Sequence, residues 1–65
     1  MTLTRRELAV VRLLGSGCSY REVAVQLGIS PHTVVSHIKN AYRKLEVHTG
    51  AAAVMRAVRL GFIQP

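Results

Sequence analysis

Residues 19–45 constrain the fold of this chain more than any other stretch. They read SYREVAVQLGISPHTVVSHIKNAYRKL, two short helical patterns joined at Gly28. Glycine suits a tight turn there because a positive φ costs little without a Cβ atom. Ser30 followed by Pro31 marks the start of the second helix, since proline fits the first helical position. The pattern predicts a helix-turn-helix unit.

The second helix of this unit has two different faces. An apolar face repeats at the i, i+3, i+4, i+7 spacing of one helical stripe and carries Val34, His37, Ile38, Ala41 and Leu45. The opposite face is polar and basic and carries His32, Val35, Ser36, Lys39 and Arg43. Because the second helix of a helix-turn-helix enters the major groove of DNA, the polar face is the expected reading surface.

Capping signals place the other helices. Thr4 and Glu7 form a capping-box pattern, and Gly15 and Gly17 are expected to end that first helix. Ser19 and Glu22 repeat the box at the start of the second helix. A fourth helix is expected from Thr49 to Gly61. No strand pattern competes, so residues 1–65 are predicted to form one all-α, four-helix domain.

Charge and size narrow the class of function. The formal net charge is +6 and the isoelectric point is about 10.9, which favours a polyanionic partner. A chain of 65 residues has no room for a deep active-site cleft, so an enzyme is not expected. The single cysteine suits a reducing cytoplasm, and no apolar run is long enough to span a membrane. His32 and His37 point about 140° apart on a helix, so neither a metal site nor a cofactor is expected.

Side-chain chemistry assigns candidate DNA contacts. Val35, Ser36 and Lys39 are best placed to reach base edges, since lysine donates to guanine, serine to several bases, and valine contacts a thymine methyl group. The DNA backbone contacts are expected from helix starts and flanking positions, namely Ser19, Tyr20, Arg21, His32, Thr33, Asn40 and Arg43. For Arg43 and Lys44 the alternative is a solvated helix C-terminus, where cations are favoured anyway.

The fourth helix is apolar over more than one stripe, which suggests a second buried contact. We assign Val54 and Ala57 to the core of the domain. The neighbouring line of Ala51, Met55 and Val58 is assigned to a homodimer contact. The alternative is an alanine-rich helix whose exposed alanines have no partner.

Four segments of the chain resemble the LuxR-type (GerE-like) DNA-binding domain: LTRRELAVVRLLGSG, SYREVAVQLGIS, HTVVSHIKNAYRKLEV and AVRLGFI. The resemblance implies a four-helix domain that binds double-stranded DNA as a dimer. In such domains the third helix reads the major groove and the fourth makes the dimer contact. It further implies the output part of a bacterial response regulator or quorum-sensing receptor, with RNA polymerase as a further candidate partner.

Three positions depart from the family pattern. Val35 stands where a DNA-contacting lysine is common, Gly50 where an arginine is frequent, and Ala9 where a glutamate is usual. The first two changes remove positive charge from expected DNA contacts. Two alternative functions stay open. The segment SYREVA would also suit a promoter-binding domain like region 4 of bacterial sigma factors. Val35 and Gly50 would suit a protein-interaction module that has lost DNA binding.

Overall fold

A computed structural model describes residues 2–64 and consists of four helices. They are α1 (Arg5–Gly15), α2 (Tyr20–Leu27), α3 (Pro31–Leu45) and α4 (Gly50–Arg59). The predicted all-α class is confirmed, and no strand occurs between residues 2 and 64. No helix in that range is long and apolar enough to cross a membrane.

Each helix begins where a hydroxyl side chain caps it. The capping residues are Thr4, Ser19, Ser30 and Thr49, and each side-chain oxygen accepts the N–H three residues further on. At α1 and α2 the third helical residue, Glu7 or Glu22, completes a reciprocal capping box. All four predicted helix starts are thereby confirmed. Gly28 ends α2 with φ 67°, the left-handed conformation that the turn was expected to need.

The core consists of two clusters that share α1 and α3. The first, where α1, α3 and α4 meet, buries Leu3, Val11, Ala41, Leu45, Ala53 and Ala57. The second, where α1, α2 and α3 meet, buries Val10, Val23, Ala24, Val34 and Ile38. The half-buried ring of Tyr42 packs against both clusters. Ala24 is buried in this second cluster, where its small side chain allows α2 and α3 to approach closely.

An ion pair that the sequence did not reveal joins α1 to α3. Lys44 Nζ lies 2.8 Å from Glu7 Oε1, and the Glu7 side chain is only 5% exposed. The two residues are 37 positions apart in sequence. Lys44 therefore contributes to the fold, because its charge is paired with Glu7.

Two expectations for α4 need correction. The helix ends at Arg59 with Leu60 as its C-cap, two residues before the predicted end at Gly61. Ala57 is buried as predicted, but the other fully buried position is Ala53, and Val54 is only half-buried. The fully buried stripe of α4 thus runs through Ala53 and Ala57. Val54 packs at its edge against α1, where a Cβ at Gly15 would lie 3.3 Å from Val54 Cγ1.

Candidate nucleic-acid interface

The buried face of α3 determines which of its residues reach solvent. Val34, Ile38, Ala41 and Leu45 are buried, and His37, expected on the same face, is half-buried. The opposite face therefore points outward. Of the three candidate base contacts, Ser36 and Lys39 are exposed, whereas Val35 is half-buried. Helical spacing brings these three residues together on one surface.

The start of α2 leaves donors open to a ligand. The Ser19 hydroxyl accepts the Glu22 N–H at 3.2 Å, and the Glu22 carboxylate accepts the Ser19 N–H at 2.8 Å. Those hydrogen bonds hold the pKa of Glu22 below its ordinary value. The N–H groups of Tyr20 and Arg21, in the same helical turn, have no acceptor among residues 2–64. Both side chains are exposed, so this end can receive a phosphate.

The start of α3 has fewer open hydrogen-bond donors than the start of α2. Ser30 Oγ accepts the Thr33 N–H at 3.1 Å and lies 2.9 Å from the Thr33 hydroxyl oxygen, while Pro31 has no N–H to give. Thr33 is half-buried and would have to share its hydroxyl with Ser30, whereas His32 is exposed. The Ser36 hydroxyl donates to the His32 carbonyl at 3.4 Å, a long bond that a stronger acceptor could replace.

Hydrogen bonds divide the basic side chains into two groups. Arg6 donates to the Leu27 carbonyl at 3.3 Å, and Arg12 donates to the Phe62 carbonyl at 3.5 Å. With Lys44 bound to Glu7, these side chains contribute to the fold. Arg21, Lys39 and Arg43 are exposed along α2 and the outer face of α3. The Arg43 guanidinium donates to the Asn40 side-chain oxygen, so these two expected backbone contacts are linked.

A surface concavity of about 640 Å³ lies at the C-terminal end of α3, and we call it the α3-end cavity. It is lined by Lys39, Tyr42, Arg43, Glu46, Val47 and His48. His48 was not among the residues expected at this surface from the sequence. Between residues 2 and 64, no group of three histidine, cysteine or acidic side chains is placed to hold a metal ion.

The outer surface of α4 carries the predicted dimer line. Ala51 is exposed, Met55 is 72% exposed, and Val58 is half-buried. Ala51 and Met55 border an apolar groove of about 540 Å³ that continues past Gly50 to Tyr42 and Tyr20. Burial raises the pKa of the Tyr42 phenol, and the neighbouring Tyr20 raises it further. The candidate DNA contacts thus lie on α2 and α3 and the predicted dimer line lies on α4, and the apolar groove connects the two surfaces at Tyr20.

Comparison with known proteins identifies relatives along most of the chain. A family model described as bacterial regulatory proteins, luxR family, matches residues 1–57. The nitrate/nitrite response regulator protein homolog of Haemophilus influenzae is 46% identical over 54 residues, which cover 83% of this chain and 26% of that protein. The transcriptional activator protein CarR of Pectobacterium carotovorum is 45% identical over 58 residues, 89% of this chain and 24% of that protein. The chain thus spans about a quarter of the length of these curated relatives.

Solved structures with the same fold include two regulators. The crystal structure of ChrA, a response regulator in a heme-sensing two-component system, superposes with a TM-score of 0.92 at 35% identity. That match covers 97% of this chain and 31% of ChrA. The transcription factor GerE superposes with a TM-score of 0.87 at 36% identity, covering 95% of this chain and 94% of the GerE chain.

Proposed function

The chain belongs to the luxR family of bacterial regulatory proteins and is a helix-turn-helix DNA-binding domain of that family, and we propose that α3 reads the major groove while α4 joins two copies. The observation that carries the first part is the burial of one α3 face, which leaves the polar face outward. In a whole regulator, the domain would be the output part, acting in the cytoplasm where it can reach chromosomal DNA.

Base readout is proposed for Val35, Ser36 and Lys39. Lys39 is exposed at the centre of the outer face and can donate to guanine O6 or N7. Ser36, one turn earlier, is exposed and held only by the long bond to the His32 carbonyl. Val35 presents part of its side chain and would contact a thymine methyl group. Replacing Val35 by lysine, the residue that the family pattern favours, should raise affinity.

Backbone contacts are proposed from both helix starts and from the far end of α3. Ser19, Tyr20 and Arg21 would hold one phosphate at the start of α2, where peptide N–H groups are open. The other proposed contacts are His32, Thr33, Asn40 and Arg43. Such contacts fix the orientation of the protein on the duplex without reading its sequence.

A salt titration tests the DNA-binding proposal. Four phosphate contacts per protomer would give a slope of log affinity against log salt near about −4, at roughly −0.9 per contact. The measurement is fluorescence anisotropy with a labelled mixed-sequence duplex. A flat salt response, or no binding at low salt, would favour the interaction module over DNA binding.

Substitution of Lys39 tests its readout role. Lys39→Ala should weaken binding to a duplex selected from a random pool by about 1–3 kcal/mol more than binding to a mixed-sequence duplex. Arg59→Ala is the matched control, because it removes one positive charge from an exposed side chain at the end of α4. Equal losses on both duplexes would place Lys39 on phosphate rather than on a base.

The homodimer through α4 is proposed from the exposure of Met55 and Ala51. The apolar line is short and its side chains are mostly small, so the dimer should be weak without DNA. A duplex with two half-sites about one helical turn apart would bring two copies together. A contact with RNA polymerase is a further proposal, supported by the curated relative named as a transcriptional activator.

A further inference from the structure

The outer face of α3 continues into the loop that follows it. Lys39 and Arg43 lie one turn apart on that face, and both line the α3-end cavity. Glu46 ends the helix in the left-handed conformation with φ 58°, and the chain then brings His48 to the same cavity. Lys39, Arg43 and His48 are all exposed, so a bound duplex could reach them together.

The charges around the cavity favour an anion. From α3, Lys39 and Arg43 face it as cations and Tyr42 as a half-buried phenol. From the loop, Glu46 is the one acidic side chain among the lining residues, and His48 is the group whose type changes charge between pH 5 and 8. Lys44 belongs to the same helical turn but is bound to Glu7 and does not line the cavity.

We infer that His48 is a further DNA-contacting residue, which completes with Arg43 a site for one backbone phosphate of the duplex, while Lys39 on the same face keeps its proposed base contact. The inference rests on the proposed function and extends its surface beyond α3. A histidinium next to a phosphate gains a charge-assisted hydrogen bond that neutral histidine lacks. The contribution of this contact to DNA affinity should therefore be larger at pH 6 than at pH 8.

The experiment compares salt slopes at pH 6 and pH 8 on a mixed-sequence duplex. At pH 6 the His48→Gln variant should lose about one phosphate contact, so its slope should be shallower than that of the unsubstituted protein by roughly 0.9. Between 50 and 200 mM salt that difference corresponds to about 3.5-fold in affinity. At pH 8, above the range in which histidine side chains ordinarily carry charge, the difference between the two slopes should be smaller.

Two further variants make the test specific. His48→Lys should keep the steeper slope at both pH values, because its charge does not change in that range. Arg59→Gln, at an exposed position at the end of α4, is the matched control, and its slope should equal that of the unsubstituted protein at both pH values. Circular dichroism checks that each variant keeps its helices, as expected for exposed positions.

The outcomes separate the two proposals. Duplex binding in which His48→Gln has the same slope as the unsubstituted protein at pH 6 would overturn the phosphate site and leave the proposed function intact. A His48→Lys variant whose slope at pH 8 is not steeper than that of the unsubstituted protein would also overturn the phosphate site. Absence of duplex binding by the unsubstituted protein at both pH values would overturn the proposed function and the site with it.

Discussion

At the scale of single residues, one carboxylate oxygen joins three parts of the fold. Glu7 Oε1 accepts the Thr4 N–H at 2.8 Å and the Lys44 ammonium at 2.8 Å. Burial alone would raise the pKa of Glu7, but the hydrogen bonds from Lys44 and Thr4 and the charge of Lys44 outweigh it. The pKa of Glu7 is therefore held below 4.5. The ionised carboxylate stabilises both the α1 cap and the contact with α3.

Replacing Glu7 by glutamine should destabilise the domain by about 2 kcal/mol at pH 7, since hydrogen bonds to a charged group are lost. A pKa lowered by folding contributes stability that is present above the unfolded value and disappears as pH falls through the folded value. Urea unfolding from pH 7 to pH 3 measures this. Glu7→Gln should reduce the fall in the free energy of unfolding between pH 7 and pH 3. Glu46→Gln, at an exposed position, should leave that fall unchanged. If the free energy of unfolding of Glu7→Gln falls with pH as steeply as that of the unsubstituted protein, the stabilising role assigned to ionised Glu7 is wrong.

Glu46 is the only residue other than glycine with positive φ between residues 2 and 64. A left-handed conformation costs about 1–2 kcal/mol for most side chains and less for asparagine. Glu46→Asn should therefore raise the free energy of unfolding by roughly 0.5–1 kcal/mol. Glu46→Gln removes the same charge without easing the backbone and serves as the control. If thermal unfolding shows the same gain in stability for both variants, loss of the negative charge rather than relief of the backbone conformation causes the gain.

At the scale of helices, local sequence signals predicted the start of every helix, but they predicted the buried face of α4 less well than that of α3. The caps at Thr4, Ser19 and Ser30 act on N–H groups three residues away, so a short window of sequence contains them. The outer face of α3 could likewise be predicted, because Val34 and Ile38 contrast with its polar side chains. In α4 the contrast is between alanine and valine, and the burial of Ala53 depends on its packing in the cluster that α1 and α3 contribute to.

Two features were beyond sequence reasoning because they depend on distant or irregular backbone. The partner of Glu7 is 37 residues away and is determined by how α1 crosses α3. The position of His48 depends on the left-handed turn at Glu46, where glutamate gives no local signal for such a conformation. Hydrophobic periodicity indicates which face of a helix is buried, but it gives no information about the path of the chain after the helix ends.

The exposed surface of α4 leads to a prediction about cooperativity. Met55→Glu should place like charges across the two-fold axis of a dimer and abolish cooperative binding to a duplex with two half-sites. Met55 is a better target than the half-buried Val58, because it is 72% exposed and its replacement should not disturb folding. Leu60→Glu, at a 52% exposed position just after α4, is the matched control. Electrophoretic mobility shifts measure both.

Cooperative binding retained by Met55→Glu would show that α4 is not the dimer contact. Loss of cooperativity in Leu60→Glu as well would instead indicate a general effect of the added negative charge.

At the scale of the whole molecule, the two core clusters should behave as one cooperative unit. α1 and α3 contribute to both, and the ring of Tyr42 packs against both. Small domains with a shared core usually unfold in a single transition. Loss of packing at Tyr42 should therefore affect the stability of all four helices together.

Tyr42→Ala should lower the free energy of unfolding by about 3 kcal/mol, the low end for truncating an aromatic residue, because the side chain is only half-buried. Tyr42→Phe keeps the ring and should stay close to the unsubstituted protein. Circular dichroism at helical wavelengths and tyrosine fluorescence from Tyr20 should give coincident melting curves for Tyr42→Ala. Separate curves would mean that the two clusters unfold independently.

The contact between Tyr42 and Gly50 also limits how this sequence can drift. A Cβ atom at position 50 would lie 3.3 Å from the Tyr42 hydroxyl oxygen, closer than most such contacts. A side chain at position 50, such as the arginine that the family pattern favours, therefore requires the phenol to move by a few tenths of an ångström. Removal of the Tyr42 hydroxyl would relieve that contact. The effects of substitutions at positions 42 and 50 should accordingly be non-additive.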